Sequence, residues 1–368
     1  MKRLIVVAVA LALVAIPFLH APAFSAPDSL SVVDSAVSVQ FPSSLVFSVE
    51  AEGPTEIEDI RLHYQVDRMK YAPTTSEAWP EFDCGQRVSA SWTWDMRRAS
   101  LPPGALLTYW WTLRDADGTT VETVPKEISF EDDRHDWREL ESDNLTLHWY
   151  VGDEEFATTL MDVCQEAIDT LAVDVGTRLE QHIEVYLYAS ATDLRQAMVY
   201  PQEWTGGVAF TEYGIIAIGL GPGDLSWGIR ALRHELTHLV VHAATFSPYG
   251  NLPTWLDEGL AMYNEGQPAA GFVSILRNAV ENEGLLSLRT LSGPFSADPT
   301  KAYLSYAQSH SVVEYLLAEY GSDKMHQLLM TFKAGATIEG ALNDTYGIGL
   351  DELQADWYAW VQQEYASV

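Results

Sequence analysis

The stretch Leu232-Arg233-His234-Glu235-Leu236-Thr237-His238-Leu239-Val240 places two histidines four residues apart, with a glutamate directly after the first. Side chains at that spacing project from one face of a helix. Two imidazoles can then grip one zinc ion while Glu235 lies beside them to polarise a bound water. A hydrolytic zinc centre needs a third protein ligand and keeps a fourth position open. Leu252-Pro253-Thr254-Trp255-Leu256-Asp257-Glu258-Gly259-Leu260-Ala261 offers Glu258, twenty positions after His238. Pro253 suits the first turn of a second helix, which can return antiparallel and deliver that carboxylate to the ion.

The metzincin pattern, which takes its third ligand from a histidine, wants Gly at 241 and His at 244. Val241 and Ala244 stand there instead. His242 continues the 234, 238 spacing by one more turn. It lies two turns from His234, about 12 Å at the helical rise, too far for both to share one ion. A packed or supporting histidine is the expectation. Leu236, Leu239 and Val240 are expected to cover the buried side of the helix.

Together with Trp204-Thr205-Gly206-Gly207-Val208-Ala209-Phe210, these stretches resemble the peptidase MA-like gluzincins. The likeness is to exported bacterial proteins that carry such a domain behind a β-rich N-terminal region, and it covers about residues 134–366. The resemblance implies a zincin-type α+β metallopeptidase domain, Zn2+ as cofactor and a peptide or protein substrate. It implies His234, His238 and Glu258 as ligands and Glu235 as general base.

The resemblance also offers Tyr306, in Tyr306-Ala307-Gln308-Ser309-His310, for the tyrosine with which related aminopeptidases donate to the tetrahedral intermediate. His310, one turn on, competes for that role. The bland alternative is that Tyr303, Tyr306 and Tyr315 only pack a helix. Gly206 to Ile218 is expected to include an edge strand that a peptide extends, or else an ordinary hairpin bent at its glycines. The chain lacks the Gly-x-Met-Glu-Asn run with which zinc aminopeptidases hold a free amine. Val208-Ala209-Phe210 offers no carboxylate, and Glu212 is the only nearby substitute, which favours an endopeptidase over an aminopeptidase.

These groups need a scaffold, and the chain has material for one. Of 368 residues, 47% are hydrophobic and 11% aromatic, which excludes wholesale disorder. Residues 30–130 show period-two patterning, as in Ile60, Leu62, Tyr64, Val66 and Val88, Ala90, Trp92, Trp94, with a hairpin signal at Asp115-Ala116-Asp117-Gly118. This predicts an all-β sandwich of immunoglobulin or fibronectin type, a spacer or binding module. The acidic run Glu131-Asp132-Asp133-Arg134-His135-Asp136 marks a boundary. Beyond it, residues 134–366 read as strands first and helices afterwards, an α+β domain with a mostly helical C-terminal half.

Lys2 and Arg3 before an apolar run from Leu4 to Leu19, then Ala21-Pro22-Ala23, predict an export signal over residues 1–26. The protein is therefore expected outside the cytoplasm, at a membrane only if that segment stays uncleaved as an anchor. A formal net charge of −31 repels phosphate backbones and excludes nucleic acid as a partner. Cys84 and Cys164 are too few for a disulfide scaffold, and Cys164 falls on the buried spacing of a helix. A rival of another class is an exported binding or adhesion protein with an idle zinc domain. Intact Glu235 and three intact ligands argue against it.

Overall fold

The computed structural model describes residues 28–68, 74–176, 181–201 and 206–365. The expected export segment over 1–26, and Trp204 and Thr205 of the glycine-rich motif, lie outside the described residues. No helix among the described residues is long and apolar enough to cross a membrane.

The N-terminal region is all β. Strands β1 (Ser31–Gln40), β2 (Ser44–Val66), β3 (Ser76–Ala78), β4 (Gly85–Asp95), β5 (Ala105–Asp115), β6 (Thr120–Glu122) and β7 (Lys126–Phe130) are joined through β2 and β5 by antiparallel pairing. The first half of β2 pairs with β1 and β4, and its second half with β5 and β3. A register shift between Glu52 and Ile57 lets one long strand serve both sets of neighbours. The period-two pattern buries Leu45, Phe47 and Val49 of β2 against Leu107, Tyr109 and Trp111 of β5. The hairpin after β5 is held by Asp115, whose Oδ1 accepts from the Thr119 N–H at 2.8 Å.

A second sheet follows: β8 (Arg138–Ser142), β9 (Leu145–Trp149), β10 (Ile183–Tyr188), β11 (Gly207–Phe210) and β12 (Ile215–Gly219), in the order β11-β12-β10-β9-β8. The three central strands are parallel and the two edges antiparallel. Around it lie α1 (Glu154–Asp174), α2 (Ala191–Gln196), α3 (Leu225–Thr245), α4 (Thr254–Asn264), α5 (Ala270–Glu281) and α6 (Leu288–Leu291). The chain ends in α7 (Pro299–Tyr320), α8 (Ser322–Lys333), α9 (Ile338–Tyr346) and α10 (Leu350–Tyr365). The β-rich front and helical C-terminal half expected from sequence are both present. β8 escapes sequence reading because Arg-Glu-Leu-Glu-Ser carries a single apolar residue and so no alternation.

The second sheet is buried on both faces. Ile183, Val185, Leu187, Ile216 and Ile218 face the helices, while Tyr186, Tyr188, Ile215 and Ala217 join the core of the N-terminal region. This explains why β12 reads as a continuous apolar run and β10 as one broken only by Glu184. The acidic run at 131–136 is an ordered joint. Buried Asp132 accepts from the Arg134 guanidinium at 2.6 and 2.7 Å and from the Tyr188 hydroxyl at 3.0 Å. Burial works against the Asp132 charge, but Arg134 outweighs it and lowers the carboxyl's pKa. Cys164 is buried on α1, Cys84 is exposed, and neither is in a disulfide.

Candidate metal centre

Helix α3 lays Leu232, Leu236, Leu239 and Val240 into the core, as its spacing demands. The opposite face carries Arg230, His234, His238 and His242, one per turn. Helix α4 begins after Pro253 and packs against both α3 and α7. Its contact with α7 runs through Gly259, where a Cβ would sit 2.5 Å from the Ser309 carbonyl oxygen and 2.6 Å from Val313 Cγ2. At the far end of α4, Asn264 Nδ2 donates to Thr237 Oγ1 at 2.8 Å. These two anchors fix the depth and the register at which α4 presents Asp257 and Glu258 to α3.

The sequence-predicted ligands converge. His234 Nε2 and His238 Nε2 are 3.2 Å apart, and Glu258 Oε2 lies 3.4 and 3.5 Å from them. That oxygen is buried and has no hydrogen-bond partner. Four-coordinate zinc with bonds of 2.0–2.1 Å spaces its ligand atoms about 3.3 Å apart. The triangle therefore has the edge lengths that the ion requires, and the donor set of two imidazoles and a carboxylate suits zinc.

The far side of each imidazole is also engaged. His234 Nδ1–H donates to Glu265 Oε1 at 2.9 Å, and His238 Nδ1–H donates to Asp257 Oδ1 at 3.0 Å. Ionised carboxylates only accept, so these bonds fix the tautomer and turn each Nε2 lone pair towards Glu258. Each carboxylate has a second donor from α3: Arg230 to Glu265 Oε2 and His242 Nε2 to Asp257 Oδ2, both at 2.9 Å. Asp257, Glu265 and Arg230 were not singled out from sequence. The available signal was spacing, since Glu265 lies seven residues after Glu258 on the same helical face.

Burial opposes protonation of His234, but Glu258 and Glu265 raise it to about 9 in the metal-free protein. Burial would raise Glu258, but contact with the two histidines holds it down at about 2. Glu235 is raised, chiefly by burial, although the imidazoles and the Ala209 N–H pull the other way. Its carboxylate abuts edge strand β11 so closely that a Cβ on Gly207 would lie 2.9 Å from Oε1. Among the described residues β11 pairs with no strand but β12, and its Ala209 N–H meets the Glu235 carboxylate.

Tyr306 faces the site, its ring centroid 6.4 Å from that of His234 and its ring edge-on to Phe295. Burial, then the charges of Glu258 and Glu235, raise its pKa and keep the hydroxyl protonated. His310 is buried beside Tyr263 and Glu314, within reach of the charges of Glu265 and Arg230, and lines a small apolar cavity with Phe272 and Leu276. Tyr303 is half exposed against Phe272, and Tyr315 packs on Tyr320 and Trp360. Glu212 pairs with Arg68 of the N-terminal region at 3.5 Å.

No curated protein sequence matches the chain. Among solved structures it is similar to a mutant M1 zinc metallopeptidase from Deinococcus radiodurans, at 11% identity over 90% of this chain and 94% of that one, with a TM-score of 0.40. It is similar to aminopeptidase A of Legionella pneumophila at 11% identity, over 90% and 50% of the two chains, with a TM-score of 0.36. It is also similar to OgpA from Akkermansia muciniphila at 15% identity, with a TM-score of 0.21, over 29% of this chain and only 28% of OgpA. The family description "Peptidase MA superfamily" matches residues 163–363, from within α1 to within α10. That match spans more than half of the sequence, and the chain belongs to the peptidase MA superfamily.

Proposed function

We propose that the protein is a zinc-dependent endopeptidase. The observation that carries this reading is the triangle of His234 Nε2, His238 Nε2 and buried, unpartnered Glu258 Oε2, with Glu235 beside it. His234, His238 and Glu258 would hold zinc, which when bound would supply Lewis-acid polarisation of the scissile carbonyl and of the attacking water. Glu235 takes the proton from that water and passes it to the departing amine. Burial raises its pKa, the direction that suits a group that must both accept and release a proton. Tyr306, held protonated, donates to the developing oxyanion. Edge strand β11 binds the substrate backbone as an added strand.

Preference for internal bonds rests on what β11 lacks. Val208, Ala209 and Phe210 bring no carboxylate to hold a free amine, and Glu212 is tied to Arg68. The basic residues and apolar run at the N-terminus support a place outside the cytoplasm for the enzyme. Zinc analysis combined with a peptide library in free and acetylated forms tests the reading. One zinc per chain and equal cleavage of blocked and free peptides are expected. Cleavage confined to free amines would make it an aminopeptidase, and tightly bound zinc without any cleavage would favour a binding protein.

A further inference from the structure

Resting on that zinc reading, we propose that His242 is a positioning residue of the metal centre, acting through Asp257 on His238 and on the distal ligand Glu258. His242 is the third imidazole of the row on α3 and too far along it to be a ligand beside His234. Its Nε2–H instead donates to Asp257 Oδ2 at 2.9 Å, while the other oxygen of that carboxylate takes His238 Nδ1–H at 3.0 Å. Asp257 is thus clamped at both oxygens by one face of α3.

Two consequences follow from where Asp257 stands. The bond to His238 Nδ1 keeps the Nε2 lone pair available and the ring oriented. Asp257 also precedes Glu258 in the first turn of α4, so clamping it fixes the azimuth at which Glu258 meets the two Nε2 atoms. Without His242, the carboxylate would keep one partner and could rotate away from His238. The row has a matching device at its other end, where Arg230 secures Glu265 behind His234.

His242 is not buried core. Its side chain is 36% exposed and borders a small cavity with Thr211 and Glu212, so truncating it opens no hole in the apolar interior. A change in metal binding on its removal therefore reports on Asp257 rather than on global packing.

The test is zinc affinity of the full chain by chelator competition, with melting of the metal-free protein recorded alongside. His242→Ala is expected to weaken zinc about tenfold, the lower end of what outer partners of metal ligands contribute. His242→Gln, whose amide N–H can still reach Asp257, is expected to restore most of the loss. Asp257→Asn should weaken zinc at least as much, and His242→Ala added to it should weaken binding no further. Unchanged zinc affinity in His242→Ala, or additive losses in the double variant, would overturn the proposal. Failure of the wild-type chain to bind zinc at all would overturn the zinc reading itself, and this proposal with it.

Discussion

His234 and His238 turn their Nε2 atoms towards one another at 3.2 Å, with both Nδ1 protons already committed to carboxylates. Two lone pairs so placed repel unless a cation lies between them or a proton joins one. Glu258 adds a third electron-rich atom to the same recess. A divalent ion in that recess, as proposed, would meet all three atoms at once.

Removing the third ligand should therefore be felt in metal binding before anything else. Glu258→Ala is expected to lower zinc affinity by more than the roughly 100-fold that loss of an outer partner can cost. Its α4 anchors at Gly259 and Asn264 remain, so the fold should persist. Metal analysis after dialysis against a chelator, with circular dichroism as control, checks both halves.

The metal-free protein should lose stability as pH rises. The folded His234 pKa of about 9 lies above the ordinary imidazole value of about 6.5. A raised folded pKa stabilises fully below the unfolded value, and that stabilisation is lost as pH rises towards 9. Glu258 has the opposite sign: held at about 2, it stabilises above the ordinary carboxylate range, and that is lost as pH falls through 2. Melting temperatures of the metal-free chain should decline between pH 6.5 and 9, and zinc should abolish the decline. A flat metal-free profile contradicts this electrostatic picture.

Much of the centre was legible in the sequence because helical spacing is a local property. His234, Glu235 and His238 follow from four-residue periodicity, and Glu258 from the need for a third ligand near the start of a following helix. Which carboxylates stand behind the histidines depends on the crossing of α3 and α4; local spacing marks only Glu265, seven residues after Glu258. Asp257 could not be told from any acidic residue in a first helical turn. His310 shows the reverse limit: it shares a face of α7 with Tyr306, yet one turn on, about 6 Å along the axis, it packs beside Tyr263 and Glu314 and borders a different cavity. The shared strand β2 and the double burial of β10 depend likewise on distant pairing.

Glycines hold two close approaches in place. Gly259→Ala would force a Cβ to within 2.5 Å of the Ser309 carbonyl oxygen, an overpacking expected to cost about 1–3 kcal/mol in urea unfolding. Gly207→Ala meets no backbone, only the Glu235 side chain at Oε1 (2.9 Å) and Cγ (3.2 Å), so stability and zinc content should hold. Displacement of that carboxylate should instead lower kcat on the order of tenfold, since small misplacements of reacting groups are costly. Unchanged kcat would detach β11 from Glu235.

The tyrosine assignment separates cleanly from its rival. Tyr306→Phe is expected to retain zinc and lose about 10²- to 10³-fold in kcat, the loss seen on removing one oxyanion donor. His310→Gln, away from the metal recess, should leave kcat per folded molecule close to wild type. The reverse pattern would return the role to His310.

The central assignment, that Glu235 moves the proton at a zinc centre built from His234, His238 and Glu258, meets its most direct test in the Glu235→Gln chain. Peptide cleavage by that variant should be measured at the same zinc content as wild type. One zinc per chain with cleavage abolished is the expected result. Full cleavage activity by Glu235→Gln would contradict it.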